Sequence, residues 1–179
     1  MQTIDQDTFE LLKGRNDGAH HTLYELYRAR VYAFCYHMTQ DRELAADLTQ
    51  DVFVKVLSRI DTLDDPRAFP SWLFAIARNE VYGHFRKPRV QSSIEAEDVW
   101  ETQTPVDVVI ASERAALVRG LVQTLRPAYR EALLLREFEG LSYAEIAAVV
   151  GCTETAVKAR LFKARRALLE KLTPILGEE

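Results

Sequence analysis

The chain has 179 residues, of which 47% are hydrophobic and 28% charged, the usage of an ordinary globular protein and not of a disordered one. It holds only 7 Gly and 6 Pro, which excludes collagen-like and most loop-rich architectures. The formal charge of −4, taken alone, argues against nucleic-acid binding, for which a basic domain is the usual footprint, unless regions of opposite charge hide inside the average.

No alternating strand pattern stands out, whereas helical spacing recurs along the whole chain. Phe9, Leu11 and Leu12 predict a short first helix ending near Asn16-Asp17-Gly18. Leu23, Leu26, Tyr27, Val31, Phe34, Cys35 and Met38 then follow i, i+3, i+4 spacing in a long amphipathic helix. Asp41 is placed to cap a third helix whose apolar stripe runs Leu44, Ala45, Leu48, Val52, Phe53, Val56, Leu57. Residues 61–70, DTLDDPRAFP, read as a turn-rich loop. A fourth helix is expected from about Ser71, carrying Trp72, Leu73, Ile76, Ala77 and Val81 and ending before Lys87-Pro88. Residues 89–112 read as a linker: from Gln91 to Ser112 there are five acids and no Lys or Arg, with Pro105 among Ser, Thr and Gln. Its isolated apolar residues Ile94, Val99, Trp100 and Val106 are candidates to dock on a neighbouring domain.

Beyond the linker, Ser112 with Ala115, Leu117, Val118 and Leu121 opens another helix. Pro127 suits the first turn of the next, with Leu133–Leu135 and Phe138 facing inward and Gly140 as its stop. Ser142-x-x-Glu145 is a capping box before Ile146, Ala147 and Val150. Gly151 turns the chain, and Thr153 can cap a last helix with Val157, Leu161, Ala164 and Leu168 on one face. The expected fold class is all-α: two small helical domains, 1–88 and 113–179, joined by an acidic linker, the second a helix-turn-helix.

Cys35 and Cys152 lie far apart in apolar settings without C-x-x-C spacing, which fits neither a disulfide framework nor a four-cysteine zinc site and suits a reducing compartment. Apolar runs such as Ala132–Leu135 and Ala147–Val150 are far below the ~20 residues of a membrane span. The start, MQTIDQDTFELL, is acidic where a signal peptide needs a basic region and an apolar core. These features predict a soluble cytoplasmic chain with no membrane insertion.

Three constellations carry chemistry. The segment from Ser142 to Leu172 has what a helix-turn-helix needs: a small residue at the helix crossing (Ala147), a turning glycine (Gly151) and an apolar anchor on the second helix (Val157). That second helix is strongly polarised, with Lys158, Arg160, Lys163, Arg165, Arg166 and Lys171 against Glu154 and Glu170. The N-terminal half of such a helix enters the major groove, so Thr155, Lys158, Ala159, Phe162 and Lys163 are candidate readers of base edges. Phe162 suits a thymine methyl or sugar and Lys158 guanine O6/N7, while Arg160, Arg165 and Arg166 suit phosphates. In the second constellation, Phe69, Trp72, Phe74, Tyr82 and Phe85 interleave with Arg78, Arg86, Lys87 and Arg89, beside Asn79 and His84. Aromatics with cations suit single-stranded nucleic acid, because bases stack on rings while cations follow the backbone; plain core is the competing reading for Trp72. In the third, Asp47, Gln50, Asp51 and Lys55 make a polar ridge beside the apolar stripe of the third helix. His20, His21, His37 and His84 form no metal-binding pattern, and there is no nucleophile elbow or phosphate-cradling glycine loop, so neither catalysis nor a cofactor is expected.

DLTQDVF (47–53), FPSWLFAIARNEV (69–81) and LSYAEIAAVVGCTETAVKARLFKARRAL (141–168) resemble, in order and separation, the three signature regions of the extracytoplasmic-function group of sigma-70-type sigma factors. The resemblance implies a promoter-melting domain, a flexible linker and a helix-turn-helix domain. By position, it implies that Asp47, Gln50, Asp51, Phe53 and Leu57 meet the coiled-coil clamp helices of the polymerase β′ subunit. It further implies that residues 61–70 and Asn79 capture a flipped base of the −10 element; the aromatic-basic composition independently makes Trp72, Arg78, Arg86, Lys87 and Arg89 candidates for the same strand. Lys158, Ala159, Phe162 and Lys163 fall where the family reads the −35 element. The implied partners are core RNA polymerase (β′ clamp helices and β flap), promoter DNA and an anti-sigma factor. Ala46, Gly83 and His84 stand where the family often has acidic residues. The rival readings are a dimeric helix-turn-helix regulator with a helical N-terminal sensory domain, which leaves the 47–57 ridge unexplained, and an all-helical adaptor that has lost DNA binding, which leaves the basic last helix unexplained.

Overall fold

In the computed structural model, residues 4–86 and 113–176 are described. They form eight α-helices: α1 (Gln6–Lys13), α2 (Asp17–Thr39), α3 (Arg42–Arg59), α4 (Phe69–Arg86), α5 (Glu113–Gln123), α6 (Pro127–Leu133), α7 (Tyr143–Val150) and α8 (Glu154–Leu176). The expected linker, together with Lys87 and Arg89, lies outside the described residues.

Local chemistry sets most boundaries. The Asp5, Asn16 and Asp41 side chains accept from Thr8 N, Ala19 N and Leu44 N, each satisfying an orphan amide at a helix start. Asn16 therefore begins α2 and does not end α1, and Gly18 is helical. The first helix stops at Lys13 instead, where the Gly14 amide closes on the Glu10 and Leu12 carbonyls. Leu11 faces solvent, one step off the buried pair Phe9 and Leu12. The loop before α4 contains two 3-10 turns, Ile60–Thr62 and Pro66–Ala68. α4 begins at Phe69, two residues earlier than expected, because a proline in the first helical turn loses no hydrogen bond that Pro70 would have made.

Helices α2, α3 and α4 pack on one another around a core of aromatic and branched side chains. Tyr27 meets Phe69 edge-on with ring centroids 5.3 Å apart, and Phe34 meets Phe74 at 5.6 Å. Cys35 is buried in this core, and burial pushes its thiol up to about 12.

In the second half, α6 runs on into a π-helical turn, Leu134–Phe138. The wider turn rotates Phe138 outward, so that it is 52% exposed, while Leu133, Leu134 and Leu135 remain buried. An inward Phe138 was the expectation from straight 3.6-residue spacing; the inserted residue breaks that phase. Gly140, at φ 68°, then takes the left-handed turn that a side chain resists. Across this half, the Lys171 ammonium donates to Thr124 Oγ1 at 2.5 Å, tying α8 to the end of α5.

The two halves touch. Helix α7 packs against α4, and α6 approaches α2.

Candidate functional site

The helix-turn-helix is built as its sequence dictates. The Ser142 hydroxyl accepts from Glu145 N at 3.2 Å, and the Glu145 carboxylate accepts from Ser142 N at 2.7 Å, completing the capping box. Gly151, at φ 68°, ends α7 in the left-handed region, and its amide, followed by that of Cys152 at 3.1 Å, closes on the Ala147 carbonyl. The Thr153 hydroxyl accepts from Ala156 N and starts α8. Val157, Leu161 and Ala164 are buried against α6 and α7, which fixes the rotation of α8.

That rotation turns Thr155, Lys158, Ala159, Phe162 and Lys163 to solvent; Phe162 is 66% exposed, an expensive place for a ring with nothing to cover it. The Lys158 ammonium lies 5.9 Å from the centre of the Tyr143 ring, which holds it at the N-terminal end of the helix. Arg165 and Arg166 are exposed and engaged in surface pairs with Glu137 (2.6 Å) and Glu170 (2.8 Å). Such pairs are worth about 0–1 kcal/mol, so an incoming phosphate competes with them readily. Arg160 is half-buried, facing Glu131 and Tyr82.

On α4 the picture is mixed. Asn79 and Arg86 are exposed, and Trp72 is half-buried against Phe69 at 5.9 Å. Arg78 is committed: its Nε donates to Glu131 Oε1 at 2.6 Å, and its guanidinium stacks 4.6 Å over Tyr82. Tyr82 in turn donates to Glu131 Oε2 at 3.4 Å. An Arg78 open to nucleic acid is therefore corrected: in this arrangement a carboxylate of the second half occupies it.

On α3, Asp47, Gln50 and Asp51 are exposed on one ridge, and Leu57 is half-buried. Phe53 is another correction. It is buried and meets Tyr24 edge-on at 4.9 Å, because it continues the core stripe of α3 and not the ridge. Val54, 67% exposed beside the ridge, is an apolar side chain that sequence reasoning did not single out. Lys55 leaves the ridge to bridge Glu80 on α4 at 2.5 Å.

Sequence reasoning also missed a set of buried charges between the halves. Glu131 is 1% and Glu139 5% exposed. Arg30 of α2 holds Glu139 by two donors, Nη2 at 2.6 Å and Nε at 2.8 Å. Burial pushes the Glu139 carboxyl up to about 7, against the pull of Arg30. Burial likewise raises Glu131, with Arg78 opposing. Arg130 Nη1 donates to the His37 carbonyl at 3.1 Å, and its Nη2 donates to the Gln123 and Leu125 carbonyls. His37 is itself buried, and burial holds its imidazole below its usual range. The signal available in the sequence was the carboxylates set into the apolar run EALLLREFEG, which periodicity alone assigns to the wet side of a helix.

Residues 23–91 match the family description Sigma-70 region 2, and residues 115–168 match Sigma-70, region 4. The RNA polymerase sigma-H factor of Pseudomonas aeruginosa is 31% identical over 99% of this chain and 98% of its own length. The ECF RNA polymerase sigma-E factor of Escherichia coli is 28% identical over 98% and 97%. The chain belongs to the extracytoplasmic-function group of sigma-70 factors.

Among solved structures, this sigma factor is similar to the sigma factor RpoE in complex with the anti-sigma factor NepR from Bartonella quintana. The TM-score is 0.65 at 25% identity, over 86% of this chain and 96% of that one. It shares its fold with CnrH, solved in complex with the cytosolic domain of CnrY, with a TM-score of 0.71 at 24% identity over 95% and 97%. Among the described residues of this sigma factor, no group of three His, Cys, Asp or Glu side chains could hold a metal ion, and no helix is long and apolar enough to cross a membrane.

Proposed function

We propose that this sigma factor acts by binding alone. In this reading it docks on the β′ clamp helices of core RNA polymerase through Asp47, Gln50, Asp51, Val54 and Leu57, and on the β flap through its second half. It grips the −35 duplex with Thr155, Lys158, Ala159, Phe162 and Lys163, with Arg165 and Arg166 on phosphates. The opened −10 strand is held along α4 by Asn79, Trp72 and Arg86, and Lys87 and Arg89, next in the sequence, add to the basic charge available to it. Nucleotide addition is the polymerase's own chemistry. The domain limits we assign are 1–88 and 113–179, and the compartment is the cytoplasm, where its template is.

The observation that carries the reading is the exposed face of α8: four candidate readers and a bare phenylalanine, set at fixed rotation by a capped turn, with an acidic ridge exposed on α3. Control by an anti-sigma factor is supported by the RpoE relative, which is solved bound to one.

Purified chain added to core polymerase should give transcripts from a specific subset of a genomic promoter pool; no transcript from any promoter would sink the reading. Asp51→Arg should abolish core polymerase binding while leaving the circular dichroism spectrum and duplex binding intact. Undiminished core affinity in that variant would remove the α3 ridge from the docking surface.

A further inference from the structure

Helix α4 carries one line of residues at seven-residue spacing, Trp72, Asn79 and Arg86, about 21 Å from first to last. Gly83 falls inside that line, four residues after Asn79 and three before Arg86. None of the usual reasons for a glycine applies at this position. Its backbone is helical without a positive φ, and a Cβ built there would meet nothing within 4 Å. No neighbour needs the space, and after proline glycine is the least favourable residue in a helix interior. The stability of α4 therefore does not explain Gly83.

The effect of the missing side chain falls on Asn79. Helical side chains lean toward the N-terminus, so residue i+4 covers residue i. This chain uses that contact freely. Gln6 donates to Glu10 at 2.9 Å, Arg166 donates to Glu170 at 2.8 Å, and Arg78, one position back on α4, stacks 4.6 Å over Tyr82. The corresponding neighbour of Asn79 is residue 83, which has nothing to offer. Asn79 is exposed, and its amide makes no hydrogen bond with a described residue. Both its donor and its acceptor are left for something outside the chain. Arg86 lies back over the Gly83 turn, its Nε donating to the Tyr82 carbonyl at 3.3 Å. A free amide and a guanidinium one turn further on thus flank a stretch of bare backbone.

We infer that Gly83 is a specificity-determining position that acts through Asn79: by withholding the i+4 side chain, it leaves the amide to one base of the opened strand, with the neighbouring phosphate on Arg86. This rests on the strand-holding role given to α4 above. A carboxamide offers one acceptor and one donor in a plane, the pattern that a base edge complements. It discriminates between bases only while no side chain of its own helix takes those bonds. A long polar residue at 83 would supply such a bond and would stand where the base has to lie. An alanine there adds one carbon and no hydrogen bond.

The test uses the full chain, alone and with core polymerase, against fluorescent dA20, dC20 and dT20 strands, core polymerase by itself serving as the blank. Wild type should prefer its best strand over its worst by about tenfold, the worth of one good base contact. Gly83→Gln should cut that ratio to about threefold or less, and Asn79→Ala should do the same. Gly83→Ala should fall between wild type and Gly83→Gln. With Asn79→Ala in place, adding Gly83→Gln should change the ratio no further, a non-additivity that a general disturbance of α4 would not give. Both substitutions at 83 should raise the melting temperature, because alanine and glutamine are better helix formers, so lost discrimination could not be put down to unfolding. A ratio unchanged in Gly83→Gln overturns the proposal. So does a further loss when that change is added to Asn79→Ala, or a wild type without a preference in either state. Preference and coupling as expected, with no transcript from a genomic promoter pool, would uphold the role of Gly83 and sink the sigma reading separately.

Discussion

Glu139 is a carboxyl that burial lifts to about 7 even with a guanidinium on two of its lone pairs. Its desolvation opposes its partner, so the folded chain holds a proton there to higher pH than water would. By linkage, a raised carboxyl contributes stability to the folded form that is present at low pH and lost as pH rises through about 7; Glu131 acts in the same direction. His37, from the facing helix, acts oppositely: its lowered value favours the fold above its usual 6.5 and opposes it as pH falls below that. The other charged or titratable neighbours are Arg30 and Tyr27 on α2 and Arg130 on α6. Above about pH 6.5 the histidine is neutral in both forms, so the carboxyl governs. The urea midpoint of unfolding should therefore fall as pH rises from about 6.5 to 7.5, and a midpoint constant over that range would remove this carboxyl from the pH dependence. On α8, Lys158→Ala should weaken −35 duplex binding by about 1–3 kcal/mol and relax preference at one base pair, which a binding series over single-pair variants measures. An unchanged preference would strike Lys158 from the readers.

At the scale of the element, α4 and α7 make opposite demands on their termini. α7 has only eight residues and depends on its capping box, so Ser142→Ala should cost about 1 kcal/mol, read from denaturant unfolding. α4 contains Gly83, where an added Cβ would meet nothing within 4 Å and the backbone is helical. Gly83→Ala should thus stabilise the chain by up to ~1 kcal/mol; a loss of stability would mean that this turn is needed for bending. Caps and turns were legible in the sequence because they are local: Asp41, Ser142-x-x-Glu145, Gly151 and Thr153 act where expected. Asn16 misled because the same side chain suits a helix stop and a helix start, and the outcome turns on which side has free amides. Phe138 misled because a π turn shifts the phase of every later residue by one, and no residue type announces it.

For the whole molecule, the mild net charge is a sum of separate working surfaces, an acidic ridge on α3 and a basic face on α8, with an acidic stretch between the halves. The order of those surfaces along the chain was visible before any coordinates, because each is a run of residues on one helix. What no run could reveal is that Glu131 and Glu139 reach across to Arg78 and Arg30, 53 and 109 positions away. Long-range pairing of charges leaves no periodic trace. Phe53 belongs to the same lesson: its place in a family motif and its place in a core stripe coincide, and burial against Tyr24 decides between them. The two thiols also differ in a way that is useful at the bench. Cys35 is sealed in the core and held protonated, whereas Cys152 is half-buried beside Gly151 in the helix-turn-helix turn. A maleimide dye should therefore label the native protein at Cys152 alone, placing a fluorophore in the helix-turn-helix turn without an engineered cysteine.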